Sequence, residues 1–229
     1  MDKHDLIVSL GNDFVPAMAL KLLKITEKTY PFDWSTCDGD VSERLLKKCD
    51  IIKKHFRNEF NVSDFIEYFS PELLVHSIKN TKNGIYYAQG FTSGQSVKDF
   101  FPDFLRTYQR RIKRLYDDIE SANNILFIYQ DAITSLPLNT IKNAINILKK
   151  SFPNKNINLF VFLPIISTKA TRCYEIKTNI DNVRVFACIK PETQNYEKRV
   201  DLFAGILEHI FNNVPCPLIN NNDIKSVAE

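Results

Sequence analysis

Residues 5–34 read DLIVSLGNDFVPAMALKLLKITEKTYPFDW, and the fold is decided by how this stretch breaks. Leu6-Ile7-Val8 is a short apolar run, Gly11-Asn12-Asp13 interrupts it, and a helical pattern then starts with Pro16 just inside. Proline is tolerated there because the first turn of a helix has no partner for its N–H. The reading is strand, turn, helix, with the turn at the carboxyl end of a strand, where α/β proteins place their ligands. Ala17, Leu20 and Leu23 then share one side of the first helix.

Outward from that stretch, the chain alternates the same two signals. Leu45, Cys49, Ile52 and Phe56 form a stripe that predicts a helix from about Ser42. Asp64 to Tyr68 and Pro71 to Ile78 read as two shorter helices, and Ile85-Tyr86-Tyr87 as a short strand. Phe101, Phe104, Leu105, Tyr108, Ile112, Leu115, Tyr116 and Ile119 make the strongest helical face, over Phe100 to Ile119. Ile125 to Tyr129 and Asn158 to Leu163 are buried strands, separated by a helix from about Pro137. A hairpin-like pair, Cys173 to Lys177 and Val183 to Ile189, precedes a last helix over Tyr196 to Phe211. Continuously apolar strands joined through helices imply one three-layer α/β domain over residues 1–214, Rossmann-like, its sheet mainly parallel with helices on both faces. From Pro215 to Glu229 the chain is polar and Asn-rich and reads as a disordered tail.

Composition narrows the function. The 229 residues are 44% hydrophobic and 12% aromatic, enough for one substantial core. Thirty basic against 27 acidic residues leave a net charge of +3, which gives nucleic-acid binding no support. The five cysteines (Cys37, Cys49, Cys173, Cys188, Cys216) have no C-x-x-C pair, and the N-terminus is too polar for a signal peptide. A reduced, cytoplasmic setting is expected. The longest apolar runs, such as Leu159 to Ile166, fall short of the roughly 18 residues of a membrane span. Few glycines and many Asn, Lys and Ile residues point to an AT-rich coding genome, viral or protist.

Three motifs carry a resemblance: Ser9-Leu10-Gly11, Tyr30-Pro31-Phe32-Asp33-Trp34, and Arg110-Arg111-Ile112-Lys113-Arg114 followed by Leu126-Phe127. In order and spacing, over roughly the first 130 residues, the chain resembles the family called putative papain-like cysteine peptidases, a domain of unknown function. The family pattern S-L-G-x-x-C-x-x-A implies a cysteine nucleophile at the start of the first helix and a histidine before the arginine motif. Here Ala17 fits the small position, Phe14 stands in the cysteine slot, and the stretch from Tyr87 to Phe91 holds no histidine. His76 is the nearest, in another segment. A phenylalanine has no lone pair to offer, so the resemblance implies a catalytically inactive relative, with Phe14 packed into the core.

The remaining candidates divide between ligand contacts and structure. Gly11, Asn12 and Asp13 either cradle a ligand on helix amides or make a tight turn with a cap. Asp33 and Trp34 are either a desolvated acid beside an aromatic or a structural plug. Arg111 is the arginine of its motif expected to pair with a buried carboxylate such as Asp33, as an ion pair or part of an anion site. His55, His76 and His209 sit on or beside apolar helical faces, and no metal-ligand spacing or cofactor fingerprint appears, so neither metal nor cofactor is expected. The first expectation is a binding protein with a protein partner, host-directed if viral. The alternative is an active hydrolase or transferase using Asp13, Asp33 and Arg111 at the end of the first strand.

Overall fold

The computed structural model describes residues 4–70, 75–87, 90–131, 135–167, 172–191, 193, 195–212 and 214–220. Strands β1 (Leu6–Ser9), β6 (Asn124–Gln130), β7 (Asn156–Ile166), β8 (Arg172–Ile176), β9 (Val183–Lys190) and β10 (Leu218–Ile219) form a six-stranded sheet in the order β1-β6-β7-β9-β8-β10. The pairs β1–β6, β6–β7, β7–β9 and β8–β10 are parallel, and only β8–β9 is antiparallel. The expected α/β architecture with a mainly parallel sheet is therefore present, and the expected hairpin-like pair is β8–β9.

Helices cover both faces because the strands are apolar on both. Ile125, Phe127 and Tyr129 of β6 join a core with the helices α2 (Val41–Lys53), α3 (Val97–Ser121) and α4 (Leu138–Ser151). Leu126 and Ile128 point the other way, into a second core with α1 (Val15–Leu22) and α5 (Tyr196–Phe211). Alternation along one strand thus feeds two separate cores. Both α1 and α5 belong to the second face and pack on each other there.

Between α1 and α3 the chain builds a second sheet that the sequence reading missed. Strands β2 (Ser35–Cys37), β3 (Phe65–Ser70), β4 (Val75–Asn80) and β5 (Ile85–Tyr87) form an antiparallel sheet in the order β2-β5-β4-β3. The helix expected over Asp64 to Tyr68 is therefore a 3-10 turn at Val62–Asp64 running into β3. The helix expected over Pro71 to Ile78 is replaced by β4, with residues 71–74 outside the described residues. Six consecutive register pairs, from Phe65 opposite Asn80 to Ser70 opposite Val75, supply the backbone bonds that a short helix would have found locally. Phe65 and Tyr87 then pack on Phe104 of α3, with ring centroids 5.5 and 5.3 Å away. Aromatic residues fit that half-buried pleat better than a two-turn helix.

The end of the chain also carries structure. Glu175 N–H donates to the Pro217 carbonyl at 2.9 Å and Lys177 N–H to the Ile219 carbonyl at 3.0 Å, which docks β10 on β8. The expected tail from Pro215 thus begins with a docked segment, and residues 221–229 lie outside the described residues.

Candidate functional site

The turn after β1 is shaped by space. A Cβ on Gly11 would stand 2.9 Å from the Pro16 ring and 3.0 Å from the Asp13 carbonyl, closer than real side chains come. Gly11 N–H donates to the Ser9 hydroxyl at 3.2 Å, and Asn12 N–H donates to the Gln130 carbonyl at 2.8 Å, so the turn continues the β1–β6 pairing. Asp13 Oδ1 accepts from Val15 N–H at 3.3 Å, and its Oδ2 forms an ion pair with Arg199 of α5. The positive end of α1 is thereby occupied by the protein's own carboxylate.

Asn12 ties the main sheet to the inserted one. Its Oδ1 accepts from Cys37 N–H at 2.5 Å, while its Nδ2 donates to the Cys37 carbonyl at 3.1 Å and to Asp131 Oδ1 at 3.4 Å. Asp131 follows β6, is 2% exposed, and accepts from the Tyr129 hydroxyl at 2.7 Å and from Arg44 at 3.0 Å. Beside them Lys48, fully buried, donates to the Gly11 carbonyl and lies 5.5 Å from the centre of the Phe32 ring. Burial pushes its ammonium down to about 8, against the opposing charges of Cys37, Asp131 and Asp13. Burial also pushes the Cys37 thiol up, with Lys48 acting in the other direction, and Cys37 Sγ donates to the Asp38 carbonyl at 3.4 Å. Cys37 is thus a satisfied, protonated thiol and not an activated one.

Arg44, Cys37, Lys48 and Asp131 were missed as site residues by reading the sequence. The signal for Lys48 was present: it stands three residues after Leu45 and four before Ile52, on the apolar stripe of α2. A lysine at a stripe position must find a buried acceptor. For Asp131 the signal was its place just past the carboxyl end of the apolar run Ile125 to Tyr129.

Phe14 begins α1 and is half-buried, outside the core where it was expected. Its ring stacks with Trp34 at 6.0 Å and meets Tyr196 edge-on at 5.1 Å, with Arg199 6.0 Å from its centre and Lys21 5.9 Å from that of Trp34. Two of the expected site segments, 11–13 and Trp34, are therefore brought together through Phe14 and Asn12.

Asp33 and Arg111 are placed elsewhere, under the surface, 2% and 5% exposed. Asp33 Oδ2 accepts from Tyr30 N–H at 2.8 Å, which closes the 30–33 turn. Burial pushes its carboxyl up to about 7, while the Tyr30 N–H and the charges of Lys21, Arg111 and Arg114 pull it down. The direct Asp33–Arg111 ion pair expected from sequence is not among the salt bridges of the described residues; Arg111 acts on Asp33 through its field and lies 5.0 Å from the Tyr108 ring centre. The two motifs do meet by other contacts. Arg114 donates to the Thr29 carbonyl at 3.0 Å, and the Tyr30 hydroxyl donates to Asp118 at 2.7 Å. The aromatic loop is thus anchored to α3.

The ring and ion-pair contacts of His55 and His76 do not involve Phe14. His55 stacks on Tyr116 at 4.6 Å, His76 pairs with Glu67 at 3.2 Å, and His209 stands in the last turn of α5. Of the stretch from Tyr87 to Phe91, where a histidine was expected from the resemblance, residues 88 and 89 lie outside the described residues. Among the described residues no three His, Cys, Asp or Glu side chains are placed to hold a metal, and no helix is long and apolar enough to cross a membrane.

Comparison with known proteins agrees with the motifs. Residues 5–162, well over half of the chain, match the model of one family, whose description is putative papain-like cysteine peptidase. No curated protein and no solved structure matches. The match runs from the strand before the Gly11 turn, through the aromatic loop and its α3 anchor, into β7, and so takes in the whole site apart from Arg199 and Tyr196. The chain belongs to the family of putative papain-like cysteine peptidases.

Proposed function

We propose that this chain is a catalytically inactive member of its family and works as a binding protein through the mouth at the ends of β1 and β6. The observation that carries the reading is Phe14 in the position where the family pattern has cysteine, its ring set between Trp34 and Tyr196. A nucleophilic thiolate needs a sulfur at the helix start and a positive neighbour. Here the ring takes the sulfur's place, and Asp13 takes the charge of Arg199. Asn12, Asp13 and Trp34 at the rim, with Gly11 beneath them, form a contact surface of mixed polarity suited to a protein partner. A cytoplasmic location fits the free cysteines, and the Asn-, Lys- and Ile-rich composition favours a viral source with a host protein as target.

One observation favours the other reading, an active hydrolase or transferase using Asp13, Asp33 and Arg111: the Asp33 carboxyl at about 7 is in the range of a general acid or base. Its burial under the aromatic loop and the engagement of Asp13 by Arg199 weigh against it. Affinity capture from cells, comparing wild type with Asn12→Ala and Trp34→Ala at matched stability, tests the proposal. Partners retained by wild type and lost by both variants are expected. Partners equally retained by both would remove the mouth as the contact surface. Peptide hydrolysis by wild type that Asp33→Asn abolishes would establish the enzyme instead.

A further inference from the structure

Three of the five cysteines, all beyond residue 162, come together at one edge of the sheet: Cys173 on β8, Cys188 on β9 and Cys216 just before β10. Cys173 of β8 lies directly opposite Cys188 of β9, with sulfurs 3.8 Å apart. On the other side of β8, Leu218 pairs with Glu175 in parallel register, which sets Cys216 opposite Cys173 two residues earlier. Cys216 lies close enough to Cys173 for each thiol to act on the other's charge. All three belong to the α5-facing core, but only Cys173 is half-exposed; it lines a cleft of about 720 Å³ beside Leu202, Gly205, Ile206 and His209 of α5 and Pro215 and Pro217. Gly205 leaves that cleft open, since a Cβ there would meet nothing within 4 Å.

We propose that Cys173 and Cys216 are a reversible disulfide site, oxidised by a low-molecular-weight disulfide that enters this cleft, and that the bond staples β10 to β8. Cys216 is the partner of choice because residues 214–217 have no regular structure and can close on Cys173, whereas Cys188 is fixed in β9 between two strands. In the first step the Cys173 thiolate attacks one sulfur of the small disulfide RSSR, forming Cys173–S–S–R and releasing RS⁻. The Cys216 thiolate then attacks Cys173 Sγ and releases the second RS⁻. Two protein thiols are oxidised, RSSR is reduced to two RSH, and the two thiol protons pass through solvent to the leaving thiolates. Its contact with Cys188, together with burial, holds the Cys173 thiol well above its usual range, so the exchange is slow and the device is a latch set by the redox poise rather than a fast sensor.

The test is to equilibrate the full chain with oxidised glutathione, map disulfides by peptide mass spectrometry, and follow hydrogen exchange at the amides of Glu175 and Lys177, which hold β10. A Cys173–Cys216 link is expected, with exchange at both amides slowed about tenfold or more as local opening is suppressed. Cys216→Ser should stop at a glutathione adduct on Cys173 without slowing exchange, and Cys188→Ser should still form the link. A Cys173–Cys188 link, no link at all, equal oxidation of Cys37 and Cys49, or a link that leaves the two amides unchanged would each overturn the proposal.

Discussion

Lys48 of α2 donates its buried ammonium to the carbonyl of Gly11, the residue that forces the turn after β1. α2, which packs beside α4, thereby fixes the mouth of the main sheet. A buried cation with one carbonyl partner is costly, and nearby Asp131 and Asp13 only partly offset its desolvation.

That cost is readable in pH. The folded-state value of about 8 lies below the usual lysine range, so below pH 8 Lys48 is charged in both states and the burial cost is fully present. Above it the unfolded chain holds more protons than the native one, and stability rises with pH until the unfolded lysine titrates. Lys48→Met should lack the rise. The expected difference between the two denaturant profiles from about pH 8 to 10 is on the order of 2 kcal/mol. Parallel profiles would mean that Lys48 is hydrated.

Asp33 gives the opposite slope in a lower window. Its carboxyl, raised by burial to about 7, stays protonated in the native state where the unfolded chain has already lost the proton. Native protein then binds more protons, so this group makes stability fall as pH rises from about 4 to 7. Asp33→Asn keeps an acceptor for Tyr30 N–H and should flatten that fall, by up to about 4 kcal/mol across the window. At pH 8 the variant should be at least as stable as wild type, the reverse of what a direct ion pair with Arg111 would give. A loss of stability at pH 8 would restore that pair.

The Asp13–Arg199 contact joins the turn before α1 to α5, and both side chains are partly buried. A double-mutant cycle with Asp13→Asn and Arg199→Met should show coupling of about 0.5–1.5 kcal/mol, since contacting groups are not additive. Additivity within about 0.3 kcal/mol would make it a solvated surface pair.

The difference between what was legible and what was not follows contact range. β6 and β7 carry long unbroken apolar runs, Ile125 to Tyr129 and Leu159 to Ile166, and could be read as buried strands without knowing their neighbours. β3 and β4 could not, because short runs of six residues broken by polar positions suit a short helix as well, and only their mutual register decides. The site was half visible for the same reason. Gly11, Asn12 and Asp13 announce a turn locally, but Asn12 acquires its role from Cys37 and Asp131, 25 and 119 residues away.

Phe14 is the residue on which the proposed inactivity rests, and its half-buried position sets the size of the effects. Phe14→Ala removes contacts with Trp34 and Tyr196 but leaves no sealed cavity, so the cost should be about 1–2 kcal/mol, below that of a fully enclosed phenylalanine. Phe14→Cys is the sharper test, because it restores the sulfur of the family pattern at the start of α1. A thiolate there would gain from the helix end, yet Asp13 already sits at that end and binds Arg199, and His55 and His76 are engaged with Tyr116 and Glu67. The new thiol should therefore show an ordinary alkylation profile, rising toward the usual cysteine range of about 8.5, and no peptide hydrolysis. Rapid alkylation near pH 6 would show that the scaffold still activates sulfur and lost only its nucleophile. The proposed binding function would then have to share the mouth with a dormant catalytic one.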